Sequence, residues 1–275
     1  MKTIPIPTLH LFPKLDEQLI ALLKSLSPED WNKPTLARLW TVKDIASHLL
    51  DGNIRFISIL RDGYLEEKPE NIHSYQDLID FLNQLNADWV RATKRVSPAL
   101  LIELLESTGK EYCNGLLQLD PFKPAVFSVA WAGENESLNW FHIAREYTEK
   151  WHHQQQIREA TGRPGIMERE FFYPLIDTFM RAFPHTYRNI DADKGTAVEI
   201  KVTGETGGSW VIAKEENGWQ FTTHSTSSAY AEIDPDTAWK LFTKGVSKEE
   251  AEKRIRFSGK EELAKPVLNM LSVMA

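Results

Sequence analysis

The chain has 275 residues, 42% hydrophobic and 26% charged, enough for one large or two medium globular domains with a real core. A formal charge of −7 without any Lys/Arg-rich block gives no electrostatic footprint for nucleic acid, and no apolar run reaches the roughly 18 residues of a membrane span. The single cysteine, Cys113, excludes an internal disulfide framework and fits a reducing compartment, so the expected location is the cytoplasm.

At the N-terminus, Pro5, Pro7 and Pro13 interrupt the apolar residues, which leaves no signal-peptide core. Leu15, Leu19, Leu22 and Leu26 recur at helical spacing and predict a first helix that stops at Ser27-Pro28. Thr41-Val-Lys-Asp44 has the form of a capping box, with aspartate where glutamate is commoner, and launches a helix to about Asp62. Ser74-Tyr-Gln-Asp77 opens another, whose apolar seam runs through Leu78, Leu82, Leu85, Trp89, Ala92 and Val96. Pro98, in a favoured first-turn position, starts a short helix. A less regular stretch follows from about Thr108 to Glu136. One further helix runs from about Ser137 to Ala160 and ends at Gly162 and Pro164, and another covers Met167 to Phe183. Four long helices so joined predict a four-helix bundle over residues 1–185.

The pattern then changes to period two. Val198, Ile200 and Val202 alternate with polar neighbours, and Trp210-Val-Ile-Ala and Trp219-Gln-Phe-Thr flank Asn217-Gly218, a hairpin signal. Tyr230 to Ile233 reads as a further strand. Asp234-Pro235 caps a helix to Phe242, Ser247-Lys-Glu-Glu250 opens a short one, and a last helix follows Gly259 and ends near Met274. Residues 190–275 therefore predict a small α+β domain, making the chain multidomain α and α+β.

Two distant segments carry residues that suit a metal. On the helix from Ser137 to Ala160, Glu149 and His153 stand four apart, nearly above one another, so a carboxylate and an imidazole can meet one ion. His48, on the helix that begins at Thr41, lies at the edge of the stripe of Ile45, Leu49, Phe56 and Leu60, with Gly52 removing bulk one turn on. Two histidines and a glutamate form a known catalytic zinc set that leaves a position open. The helical wheel leaves a second reading standing. Trp140, Ile143, Ala144, Tyr147 and Trp151 gather on one side as a core face, which would make the Glu149 face a solvated surface. Spacing does not choose between His152 and His153, and it places His142 two turns before Glu149, where a supporting partner would stand.

Trp40-Thr-Val-Lys-Asp-Ile-Ala-Ser-His48-Leu resembles the tryptophan-to-histidine signature of DinB-like metal-binding helical bundles. Arg145-Glu-Tyr-Thr-Glu149-Lys-Trp-His-His153, continuing to Gly162, resembles the mycothiol-dependent maleylpyruvate isomerase branch of that family. The hairpin at Gly218, the stretch Ala231 to Trp239 and Ile255-Arg-Phe-Ser-Gly259 resemble that branch's sterol-carrier-protein-like C-terminal domain. The resemblance implies His48, Glu149 and His153 as ligands of a divalent metal, zinc first and nickel or iron as alternatives. It also implies a low-molecular-weight thiol as cosubstrate and an electrophilic acceptor. In the isomerase, the thiolate adds to the double bond of maleylpyruvate, a bond rotates, and elimination gives fumarylpyruvate. Arg55 and Arg145 are candidates for a substrate carboxylate. One departure stands out: the branch commonly places an aspartate three residues after the ligand histidine, where this chain has Gln156. The expected function is thus a thiol-dependent metalloenzyme, isomerase or transferase. A non-catalytic metal- or ligand-binding protein and a metal-dependent hydrolase are the alternatives.

Overall fold

Helix α1 (Phe12–Lys24) turns Leu15, Leu19, Leu22 and Leu23 inward, the stripe that the leucine spacing dictates. The computed structural model describes residues 2–65, 72–223 and 226–273. Helix α2 (Val42–Phe56) starts on the expected capping box: the Thr41 hydroxyl accepts from the Asp44 N–H and the Asp44 carboxylate accepts from the Thr41 N–H. The α-helix stops at Phe56, short of Asp62, and a π-helical turn takes over at Ile57–Arg61, where the Asp62 N–H reaches back five residues to the Ile57 carbonyl at 3.3 Å. Helix α3 (Tyr75–Thr93) begins on the second capping box, Ser74 with Asp77.

Helix α4 corrects the expectation of a short helix followed by an irregular stretch. It runs from Pro98 to Leu117, through Thr108, Gly109 and Gly115. The buried residues Leu101, Leu105, Gly109, Tyr112 and Leu116 form one stripe along it. Gly109 belongs to that stripe because α1 passes so close that a Cβ there would lie 2.7 Å from the Asp16 carboxylate. The glycine is a close-packing residue, and packing overrides its weak helix propensity. Helix α5 (Asn139–Thr161) and helix α6 (Arg169–Phe179) follow, the latter continued by a 3-10 turn and the short α7 (Phe183–Thr186). Among the described residues the helical region therefore holds six helices of more than ten residues, rather than the four of a simple bundle.

The remainder is a five-stranded mixed sheet with helices. Strands β1 (Ala197–Val202), β2 (Gly208–Glu215), β3 (Gly218–Phe221), β4 (Ala229–Ile233) and β5 (Arg256–Gly259) lie in the order β3-β2-β1-β4-β5. The pairs β1–β2, β2–β3 and β4–β5 are antiparallel and β1–β4 is parallel. The β2–β3 hairpin closes where Glu215 pairs with Gly218, whose φ of +110° only glycine adopts freely. Helix α8 (Pro235–Phe242) is capped by Asp234, and α9 (Lys248–Glu252) by Ser247, both as the sequence predicts. The final helix is shorter than expected. Helix α10 (Glu261–Ala264) gives way to a 3-10 turn over Lys265–Asn269, where Pro266 removes a helical donor, and no helix follows to Val273. The expected end at Met274 lies outside the described residues.

Contacts divide the described residues into two compact units, Pro7–Lys123 with Glu149–Ile166, and residues 2–6 with Pro124–Thr148 and Met167–Val273. The first has a core of Leu19, Leu23, Ile45, Leu49, Leu105 and Ile157 among others. His48, Glu149 and His153 all belong to it. No described helix is long and apolar enough to cross a membrane.

Candidate metal centre

Helix α5 has few apolar residues in its second half, yet almost all of that half is buried. Lys150, His152, His153, Gln154, Gln155, Gln156 and Arg158 are buried alongside Trp151 and Ile157. A solvated outer face is therefore not what the polar sequence encodes. Buried polar groups must be partnered or functional, because desolvation without a partner costs about 1–3 kcal/mol per group.

Lys150 is partnered. Its ammonium, in a residue 6% exposed, donates to Asp16 Oδ1 on α1 at 3.0 Å and to Asn53 Oδ1 on α2 at 2.9 Å, and lies 4.5 Å from the centre of the Tyr112 ring on α4. Asn53 in turn donates to Thr108 Oγ1 at 3.0 Å. One side chain thus joins four helices. The thiol of Cys113 lies 3.7 Å from Asp16 Oδ2, and burial followed by the Asp16 charge pushes it up to about 12. Cys113 is thereby kept a neutral thiol, the unreactive form of a cysteine.

The neighbouring face of α5 carries the expected ligands. Glu149 Oε2 and His153 Nε2 are 3.6 Å apart, the geometry that a four-residue helical offset produces. His48 enters from α2, its ring 4.7 Å from that of His153 and nearly perpendicular to it. One ligand atom from each of His48, Glu149 and His153 lies within 4.8 Å of the other two, the cluster of metal-binding type among the described residues. Tetrahedral zinc with bonds of about 2.0–2.1 Å holds its ligand atoms about 3.3 Å apart, so small side-chain adjustments suffice.

Three observations fit this set to a divalent ion. The donors, two imidazoles and one carboxylate, are those that zinc accepts. His48 Nδ1 is buried without a hydrogen-bond partner among the described residues, so that nitrogen is unsatisfied by protein. Burial, then the nearby His153, holds the His48 imidazole well below its ordinary pKa, in the neutral form that ligation requires. His153 is also oriented: its Nδ1 donates to the Gln156 Oε1 at 2.9 Å, which leaves Nε2 as the nitrogen on the Glu149 side.

Trp40 flanks the pair of histidines, its ring 4.8 Å from His48 and 6.2 Å from His153. It is held by a tight loop in which the Thr35 N–H and hydroxyl both donate to the Trp40 carbonyl, at 3.1 and 2.9 Å. His152 is outside the cluster, its ring packed 3.9 Å from that of His153. Arg55 is two turns beyond His48, 41% exposed in its side chain, with Nε 3.1 Å from Asp51 Oδ2. Arg145 and His142 belong to the other unit: Arg145 Nη2 donates to His142 Nδ1 at 3.0 Å and pairs closely with Glu146. Burial, then the Arg145 charge, lowers His142 to about 4. The sequence reading missed the contact between Gln156 and His153, although their three-residue offset places them on one face. It also missed the Lys150 network, for which no local signal exists because Asp16 is 134 residues away.

The chain is thus a helical unit that brings two imidazoles and a carboxylate together in a set that could hold a metal ion, followed by an α+β sheet region. The chain belongs to the family of the mycothiol maleylpyruvate isomerase N-terminal domain, whose model matches residues 12–158, more than half of it. Two crystal structures of the mycothiol-dependent maleylpyruvate isomerase, one of a histidine-to-alanine mutant, have the same fold. They give TM-scores of 0.57 for the mutant and 0.56 for the other, each at 10% identity, over 94% of this chain and 96% of theirs. At that identity the likeness is one of fold. No curated protein matches the chain in sequence.

Proposed function

We propose that the chain is a divalent-metal-dependent enzyme, using a low-molecular-weight thiol against an electrophilic small molecule as an isomerase or S-transferase. The observation that carries the reading is the convergence of His48, Glu149 and His153 to within 4.8 Å. Family membership supports the thiol. Zinc is the ion we assign, with nickel and iron suited to the same donors. When bound, such an ion supplies positive charge that favours loss of a thiol proton. The chain's residues do the rest. His48, Glu149 and His153 hold the ion, and Trp40 walls the mouth of the site with an apolar ring. Arg55, exposed and on the His48 flank of α2, is the cation we assign to a substrate carboxylate, by exchange from Asp51. Arg145 already serves His142 and Glu146 and ranks second. We assign residues 190–275 to an accessory domain of the sterol-carrier-protein type, following the helical domain of residues 1–185, and place the enzyme in the cytoplasm.

The test is metal analysis of purified protein beside His48→Ala and His153→Ala, followed by turnover with a panel of small thiols and electrophiles. Close to one ion per chain is expected in the wild type and almost none in either variant, with turnover only when thiol is added. Turnover without thiol would replace this reading with hydrolysis. Metal uptake with no turnover across the panel would replace it with a binding protein.

A further inference from the structure

Histidines that ligate metals commonly donate their second ring N–H to a carboxylate, a backbone carbonyl or water, and the partner sets both the orientation and the basicity of the ligand. In this chain the partner of His153 is an uncharged side chain. The Gln156 carboxamide oxygen accepts from His153 Nδ1 at 2.9 Å, and Gln156 is only 4% exposed, so water does not compete for the contact. Both residues lie on α5, three positions apart, so the bond is fixed by one rigid helix. The nearby charges leave few alternatives. Asp51 is engaged by Arg55 at 3.1 Å, and the Asp16 carboxylate by Lys150 at 3.0 Å. Glu149 is then the one negative charge within the proposed donor set and its Gln156 support. Against the two positive charges of a divalent ion, one remains uncompensated.

We propose that Gln156 is the positioning residue of the centre: its neutral carboxamide fixes His153 with Nε2 toward the ion and leaves the loaded site with residual positive charge, which selects an anionic ligand. This rests on the metal reading above and deepens it. A carboxylate in place of the carboxamide would bind the ion more tightly and accept an anion less readily. A glutamine forgoes some hold on the metal and keeps the site attractive to a thiolate or another small anion.

The test uses the full-length protein with two variants of nearly the same shape, Gln156→Glu and Gln156→Met. Zinc affinity is measured by chelator competition, and azide, a probe anion, is titrated into the cobalt-substituted protein while its visible spectrum is followed. Gln156→Glu is expected to bind zinc about 10–100-fold more tightly and Gln156→Met about 10–100-fold more weakly. Azide should bind the glutamate variant about fivefold more weakly than the wild type. Opposite shifts from two isosteric changes are not what a purely structural role yields, and far-UV circular dichroism checks that both variants fold. Should Gln156→Met fail to fold, the Gln156→Glu pair of measurements decides alone. Zinc affinities within about twofold of wild type, or an azide affinity that does not fall, would overturn the inference while leaving the metal reading intact. A wild-type protein that takes up no stoichiometric ion would instead sink the metal reading, and this inference with it.

Discussion

Helix α1 and the second half of α5 are both buried in the same compact unit, and they reach burial by opposite means. Helix α1 turns a stripe of leucines inward and keeps its lysines and acids mostly outward, so its position follows from apolar area removed from water. From Lys150 to Arg158, α5 buries an ammonium, two imidazoles, three carboxamides and a guanidinium, and Lys150, His153 and Arg158 are held there by specific partners. A leucine stripe tolerates small slips and substitutions of similar volume. A polar helix in a core holds only one register, because each slip leaves a desolvated group without its partner. Glu149 and His153 are thus carried by the element least free to shift, which is what a site requiring ligand atoms within a few ångströms of one another needs.

The sharpest way to break this comparison is to remove one support from each helix. Lys150→Met leaves the Asp16 carboxylate without its ammonium and is expected to destabilise the protein by about 3–5 kcal/mol in urea unfolding. Leu23→Ala on α1 should cost about 2–5 kcal/mol through its cavity. Size alone does not separate the two; rescue does. Adding Asp16→Asn to Lys150→Met should recover most of the loss, since no charge is then stranded, whereas a polar change elsewhere restores nothing to Leu23→Ala. If Asp16→Asn makes matters additively worse, the pair is not what holds α5.

A smaller effect comes from pH. His142 has a folded pKa of about 4 against about 6.5 when unfolded, so the unfolded chain binds the extra proton first as pH falls. The native state is unaffected above about pH 6.5 and loses about 3 kcal/mol progressively from there to about pH 4. His48, also held neutral by burial, adds to the same trend in metal-free protein. His142→Gln should flatten the urea midpoint against pH in that window, and an unchanged slope would dismiss the assignment. The smallest effect is at the start of α2, where Thr41→Ala deletes the cap and should cost about 1 kcal/mol, read as a shift in thermal midpoint.

Much of the frame was legible because it is local. The Thr41–Asp44 and Ser74–Asp77 boxes, the Asn217-Gly218 hairpin and the Asp234 cap depend on residues within three or four positions of each other, and all are present. The convergence of Glu149 and His153 was equally local; His48 was named as their third partner from its place at the edge of its helix's apolar stripe and from the family resemblance, and the fold brings it to them. The full length of α4 was not legible, because Gly109 looks like a helix breaker until the Asp16 side chain is found against it. The burial of α5 was hidden for the same reason. Periodicity weighs polar residues as surface, and nothing near Lys150 announces Asp16 or Asn53.

Cys113 gives the molecule a built-in reporter. With its sulfur held protonated to about pH 12 beside Asp16, the native protein offers an alkylating reagent almost no thiolate at neutral pH. Excursions in which α1 and α4 part free the thiol from Asp16, so the rate of iodoacetamide incorporation follows the breathing of the helical core.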